Sequence, residues 1–151
     1  MLYSHAGFFC NTQKYDVILL RHVLEHALNP IALLKQLKTK INSGGYLIIE
    51  VPNVYSGQSK FFGKWSQFWY VPYHTTHFTK ENIKNLMDKL EFSRVVYGGQ
   101  EMPILSNNLA NIFNKPLNNI FRVLGMLLYP FQLLADFFTN SPTVITVIAK
   151  I

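Results

Sequence analysis

The chain has 151 residues, 49% of them hydrophobic and 15% charged, which suits one globular domain with an apolar core and excludes a disordered chain. Its 14 basic and 8 acidic residues give a formal charge of +6, but they are scattered, and no run of like charges marks a nucleic-acid arm. Cys10 is the only cysteine, which excludes an intrachain disulfide and a cysteine-based zinc site and reads as an inert buried thiol.

The amino-terminal stretch MLYSHAGFFCNTQKYD lacks the charged start and continuous apolar core of a signal peptide, so cytoplasmic residence is the expectation. YDVILLRHVLEH follows, with four apolar residues from Val17 to Leu20 that read as a strand buried on both faces of a parallel sheet. It runs into Arg21, His22, Glu25 and His26. Ionisable groups there need solvent or a ligand, and the carboxyl ends of such strands are where open α/β sheets place their crevice. Asn29 and Pro30 then open a helix with Ile31, Leu34, Leu37 and Ile41 near the helical period, and Ser43-Gly44-Gly45 is expected to end it. YLIIEVP, Tyr46 to Pro52, is a second buried strand. Two parallel strands joined by a helix deliver His22 and Asn53 to one sheet edge.

Residues 53–78 show no periodic pattern and read as a long loop carrying Tyr55, Phe61, Phe62, Trp65, Phe68, Trp69, Tyr70 and Tyr73. A lid over a site and a satellite cluster packed on the sheet both fit. Thr79 caps a helix with Ile83, Leu86, Met87 and Leu90 on one face, and RVVY, Arg94 to Tyr97, is the next strand. Residues 102–140 form a helical, apolar zone punctuated by Pro116 and Pro130. Its charge-free core, Val123 to Ala135, is shorter than the roughly 20 apolar residues of a spanning helix, so a cap packed on the domain, or an interfacial amphipathic segment, is expected. TVITVIAK, Thr143 to Lys150, suits a last strand.

YDVILLRHVLEH, then NP and its helix, INSGGYLIIEVPN and HTTHFTKENIKNLMDKLEF together resemble the carboxyl-terminal half of class I S-adenosylmethionine-dependent methyltransferases, of the type 11, 12 and 23 kind. The resemblance covers about Tyr15 to Phe92, and the final strand fits the family's last one. Asn42-Ser43 stands where the family often has Lys-Pro, and Glu91 where glycine usually precedes Phe92. The implied fold is α/β: the carboxyl-terminal part of a Rossmann-like sheet, with parallel strands, a last antiparallel strand and a helical cap. The glycine-rich GxGxG turn of the family's first strands occurs nowhere in the chain. A partial domain is therefore expected, completed by a missing amino-terminal half or by self-association through an exposed sheet edge.

The resemblance implies S-adenosylmethionine as cofactor, with weak or absent binding by this chain alone. It assigns Leu20, Arg21 and His22 to the cofactor edge, and Pro52, Asn53, Tyr55 and His77 to the acceptor side. His74 and His22 are the candidate general bases, since imidazole titrates near neutrality. His22, Glu25 and His26, at i, i+3 and i+4, with His74 and His77 as possible ligands from the lid, are similar to the E-x-x-E-H metal motif of some O-methyltransferases, but most methyltransferases with such a stretch need no metal, and none is expected. The acceptor that the resemblance implies is a small molecule, a glycan or a lipid-linked compound. The alternative is a non-catalytic remnant or interaction partner that keeps part of the fold.

Overall fold

A computed structural model describes residues 13–100, 103–139 and 141–151; Cys10 lies outside them. Four strands form one sheet in the order β1-β2-β4-β3: β1 is Tyr15–Arg21, β2 Ile41–Pro52, β3 Arg94–Gln100 and β4 Val144–Lys150. β1 and β2 pair in parallel, while β4 lies antiparallel between β2 and β3. This is the α/β architecture expected from the sequence.

Helix α1, Pro30–Thr39, is the crossover from β1 to β2, capped by the Asn29 side chain, which accepts from the Ala32 amide. Helix α3, Lys80–Lys89, opens on a capping box in which Thr79 and Asn82 exchange side-chain and backbone hydrogen bonds. Both helices bury their apolar stripes, Leu34 and Leu37, Ile83 and Met87, on one face of the sheet against Ile18, Leu20, Leu47, Ile49, Ile145, Val147 and Ala149. Truncating any one of the fully buried Leu, Ile or Met side chains to Ala costs about 2–5 kcal/mol.

The opposite face is uncovered among the described residues. Leu19, Ile48, Ile148 and Val96 are register partners in one row across all four strands. Leu19 is 56% exposed and Val96 49%. The reading of β1 as buried on both faces is thus corrected: Val17 and Leu19 are open, and only Ile18 and Leu20 meet the helices.

Two boundaries also differ from expectation. Helix α1 ends at Thr39, and Ile41 to Gly45 already belong to β2, because Lys40 closes the helix with hydrogen bonds to Leu37 and Lys38 and turns Ile41 into the core. Residues 53–78 are not a bare loop. They hold a short helix, α2 (Gly57–Phe62), capped by Ser56, and a 3-10 turn at Gly63–Trp65. The last zone is a pair of helices, α4 (Leu105–Ile112) and α5 (Asn119–Thr139), and α5 runs through Pro130 without a break. Because β3 ends and β4 begins at the edge that holds His22 and Asn53, this helical pair hangs from the same edge.

Candidate active site

At the carboxyl end of β1 the chain turns sharply. The His22 amide extends the ladder to Glu50 O, and His22 adopts φ 51°, a left-handed conformation uncommon outside glycine, asparagine and aspartate. A single 3-10 turn, Leu24–His26, follows and buries the Glu25 carboxylate to 2% exposure. The loop from 73 to 76 is clamped onto this turn. Thr75 and Thr76 amides both donate to Glu25 O, the Thr75 hydroxyl lies within reach of Glu25 O and Ala27 O, and the His26 ring bonds Tyr73 O at 2.8 Å. The aromatic segment is thus docked on the strand edge and held by its backbone.

Four imidazoles gather here. His26 and His74 rings meet edge to face at 4.9 Å, and His74 and His77 lie 6.4 Å apart. Nδ1 of His74 is 2.9 Å from Phe68 O, and a carbonyl can only accept, so Nδ1 carries the proton and Nε2 keeps its lone pair. By the same logic Nδ1 of His26 carries a proton, donated to Tyr73 O. Burial lowers the His74 pKa below its ordinary value of 6.5, the Phe68 bond and the Glu25 charge opposing. A neutral His74 at pH 7 is the form that can accept a proton. His77 differs: its Nε2 bonds Trp69 O at 3.0 Å, its ring packs on Trp69, and its carbonyl accepts from the Asn82 side chain at the start of α3.

The expected cofactor edge divides between two faces. Leu20 points into the helix-covered core, whereas Arg21 points to the open face and pairs with Glu50 at 3.0 Å. Of the three residues, His22 stands at the crevice, its Nδ1 3.4 Å from Glu25 Oε1. The acceptor-side expectations divide likewise. Pro52 is sheet backbone paired with Val144, and Asn53, 1% exposed, spends its amide on Ser141, Pro142 O and the Tyr55 amide. Neither presents a free polar atom to a cleft. Tyr55 does reach one: a cleft of about 720 Å³ is lined by Tyr55, Lys60, Lys64, Trp69, Tyr70 and Asn111. Its aromatic walls and two ammonium groups suit a ring or chain carrying negative charge. Asn111, from α4, gave no signal in the sequence.

The metal-like grouping is also rearranged. An i, i+3, i+4 face requires a continuous helix, and the left-handed backbone at His22 with a one-turn 3-10 helix does not provide one. The set that converges is Glu25, His26 and His74, with one ligand atom of each within 4.8 Å of the others. His74, which the sequence offered beside His77 as a possible ligand from the loop, arrives from nearly 50 residues on, and His22 is not part of the set.

For a nucleoside cofactor the residues fit only in part. The described glycines mostly serve internal packing: a Cβ at Gly45 would strike Asp16 O and Ile41, at Gly99 Pro142, and at Gly125 Ser106. None forms a glycine-rich turn at a strand end, the feature that lets backbone approach such a ligand.

Comparison with known proteins agrees with this fold. A family model described as "Methyltransferase domain" matches residues 3–96. A SAM-dependent methyltransferase from Archaeoglobus fulgidus aligns over 92% of this chain and 60% of its own length, with TM-score 0.56 and 21% identity. A SAM-dependent methyltransferase from Thermotoga maritima, described as a possible histamine N-methyltransferase, aligns over 93% and 59%, with TM-score 0.57 and 12% identity. Phosphoethanolamine N-methyltransferase 2 of Haemonchus contortus, solved with S-adenosyl-L-methionine, aligns over 90% and 33%, with TM-score 0.51 and 15% identity. The chain spans about three fifths of the first two structures, and a search of curated protein sequences finds no match. These likenesses show the fold, and the match over most of the chain identifies it as a member of the methyltransferase-domain family.

Proposed function

We propose that this chain is the acceptor-side part of an S-adenosylmethionine-dependent methyltransferase, and that His74 is its general base. The observation that carries the reading is the His74 ring, fixed with Nδ1 on Phe68 O and Nε2 bare, beside the buried Glu25 carboxylate. The cofactor would supply an electrophilic methyl group, and alignment of a nucleophile with it does most of the catalytic work. His74 would take the proton that a hydroxyl acceptor loses, and the Glu25 charge would stabilise the resulting imidazolium. Tyr55, Tyr70 and Trp69 would hold the acceptor and exclude water, with Lys60 and Lys64 offering charge to a small-molecule, glycan or lipid-linked acceptor. Such an enzyme is cytoplasmic by this reading.

A second observation favours completion by further polypeptide: the uncovered row Leu19, Ile48, Ile148 and Val96, which a sheet with parallel strands normally buries. The part on its own would then bind cofactor weakly and act as an association module. The test is His74→Ala in an enzyme whose first half has been supplied. Turnover should fall about a hundredfold with cofactor affinity unchanged. Wild-type turnover in a folded variant would refute the role of His74.

A further inference from the structure

Helix α5 is built inside out for a water-soluble protein. Its protein-facing stripe is Phe121, Gly125, Gln132 and Asp136, the last two 1% and 2% exposed. Its outward residues include Ile120 at 69% exposure, Met126 at 75%, Phe131 at 67% and Phe138 at 80%. At 100° per residue, the inward stripe occupies about 60° of the helix and the outward apolar residues about 220°. A helix on a soluble core shows the reverse, an apolar stripe inward and a polar face outward. The contacts of α5 are of the close kind: Gly125 lies on Ser106 of α4, and Gly57 of α2 lies on Asp136 and Thr139. Small and polar residues between helices, apolar residues outside and a tolerated internal proline are the pattern of helices whose solvent is lipid.

We infer that α5 docks this domain on an anionic membrane surface, lying in the interface with its apolar arc among the acyl chains. Two observations choose lipid over a protein partner. The arc is too wide for one packed partner helix to cover, and the flanking charge has one sign. Residues 54–79 and 103–135 contain Lys60, Lys64, Lys115 and Arg122 and no aspartate or glutamate. Exposed Phe61, Trp65 and Phe113 sit among those cations, as aromatic residues do at headgroup level. By length and composition α5 could cross a membrane. Its partner α4, with eight residues, is about 12 Å long and cannot, and both helices are tied to one sheet edge. An in-plane arrangement satisfies both constraints. It also sets the cleft at Asn111, Lys60 and Lys64 near the lipid surface, which favours a lipid-linked acceptor within the methyltransferase reading; docking itself does not depend on that reading.

The test is flotation of the full chain with vesicles of phosphatidylcholine alone and of phosphatidylcholine with phosphatidylglycerol at three to one. Binding to the anionic vesicles is expected, weaker by about tenfold on the neutral ones. The double substitution Phe131→Glu with Phe138→Glu should abolish it, both side chains being outside the core, so that an unchanged circular dichroism spectrum accompanies the loss. Lys115→Gln with Arg122→Gln should remove only the preference for anionic lipid. Retained binding in the phenylalanine variant would overturn the inference. So would equal binding to both vesicle types, or a discrete dimer that binds no vesicle and dissociates in that variant, which would make the face a contact between copies. Resistance to an alkaline carbonate wash would show a spanning helix and overturn the in-plane arrangement.

Discussion

Glu91 occupies the position just past helix α3, at φ 51°, where its Cβ crowds its own backbone. Left-handed residues at this place are usually glycine, and a side chain there costs about 1 kcal/mol or slightly more. Little is gained in return. The Glu91 side chain is exposed, and the interaction that fixes the turn uses carbonyls: Lys38 Nζ donates to Leu90 O at 2.6 Å and to Glu91 O at 2.8 Å. Glu91→Gly keeps both bonds and removes the strain, while the freer unfolded chain takes back roughly 0.5 kcal/mol. The net expectation is a stabilisation of about 0.5 kcal/mol, or about 1–2 °C in Tm for a domain of this size. Thermal unfolding followed by circular dichroism measures it, with Glu91→Ala as the control that removes charge but keeps the strain. An alanine variant as stable as the glycine variant, or a glycine variant no more stable than wild type, would refute the backbone argument.

Thr79→Ala should lower stability by about 1 kcal/mol in urea titrations, since it breaks the capping box that starts α3. Because burial lowers the His74 pKa, the unfolded chain takes up that proton first, so stability should be full above pH 6.5 and fall as the pH drops below it. His74→Gln should flatten that part of the profile in denaturant midpoints taken from pH 8 to 5. Isothermal calorimetry of the 151-residue chain with S-adenosylmethionine should give weak binding or none, and micromolar affinity would contradict the proposal of an acceptor-side part. β1 is an edge strand among the described residues with Val17 and Leu19 exposed, so light scattering should show oligomers, and a monomer at high concentration would count against an adhesive edge.

What could be read from the sequence was whatever depends on near neighbours. Asn29-Pro30 and Thr79 announce their helices because a cap is satisfied within three residues, and both caps stand where expected. The β-branched runs announce strands for the same reason. The helix end at Thr39 was misplaced because Gly44, the residue that adopts φ 80°, serves a turn within β2 that ties to Ile151, a partner more than 100 residues away. The exposure of Val17 and Leu19 was equally hidden: an apolar run looks the same whether the second layer is present or not.

The site follows the same division. His22, Glu25 and His26 are close in sequence, and helical spacing suggested that they share a face, but one residue at φ 51° cancels that geometry. The loop brings in His74, one of the two lid histidines that the sequence offered, and leaves His22 out, through hydrogen bonds from Thr75 and Thr76 to a backbone carbonyl that no side-chain pattern encodes. Helix α5 carries the point furthest. Composition made it apolar, and the sequence put a cap packed on the domain or an interfacial segment ahead of a spanning helix. The direction of Gln132 and Asp136, turned inward while Phe131, Phe137 and Phe138 face out, separates a helix buried in the domain's own core from a docked or spanning one, and the shortness of α4 separates the last two. Water would select the opposite rotation of the same helix at no cost in backbone hydrogen bonds, and the observed rotation is the one that the proposed lipid docking requires.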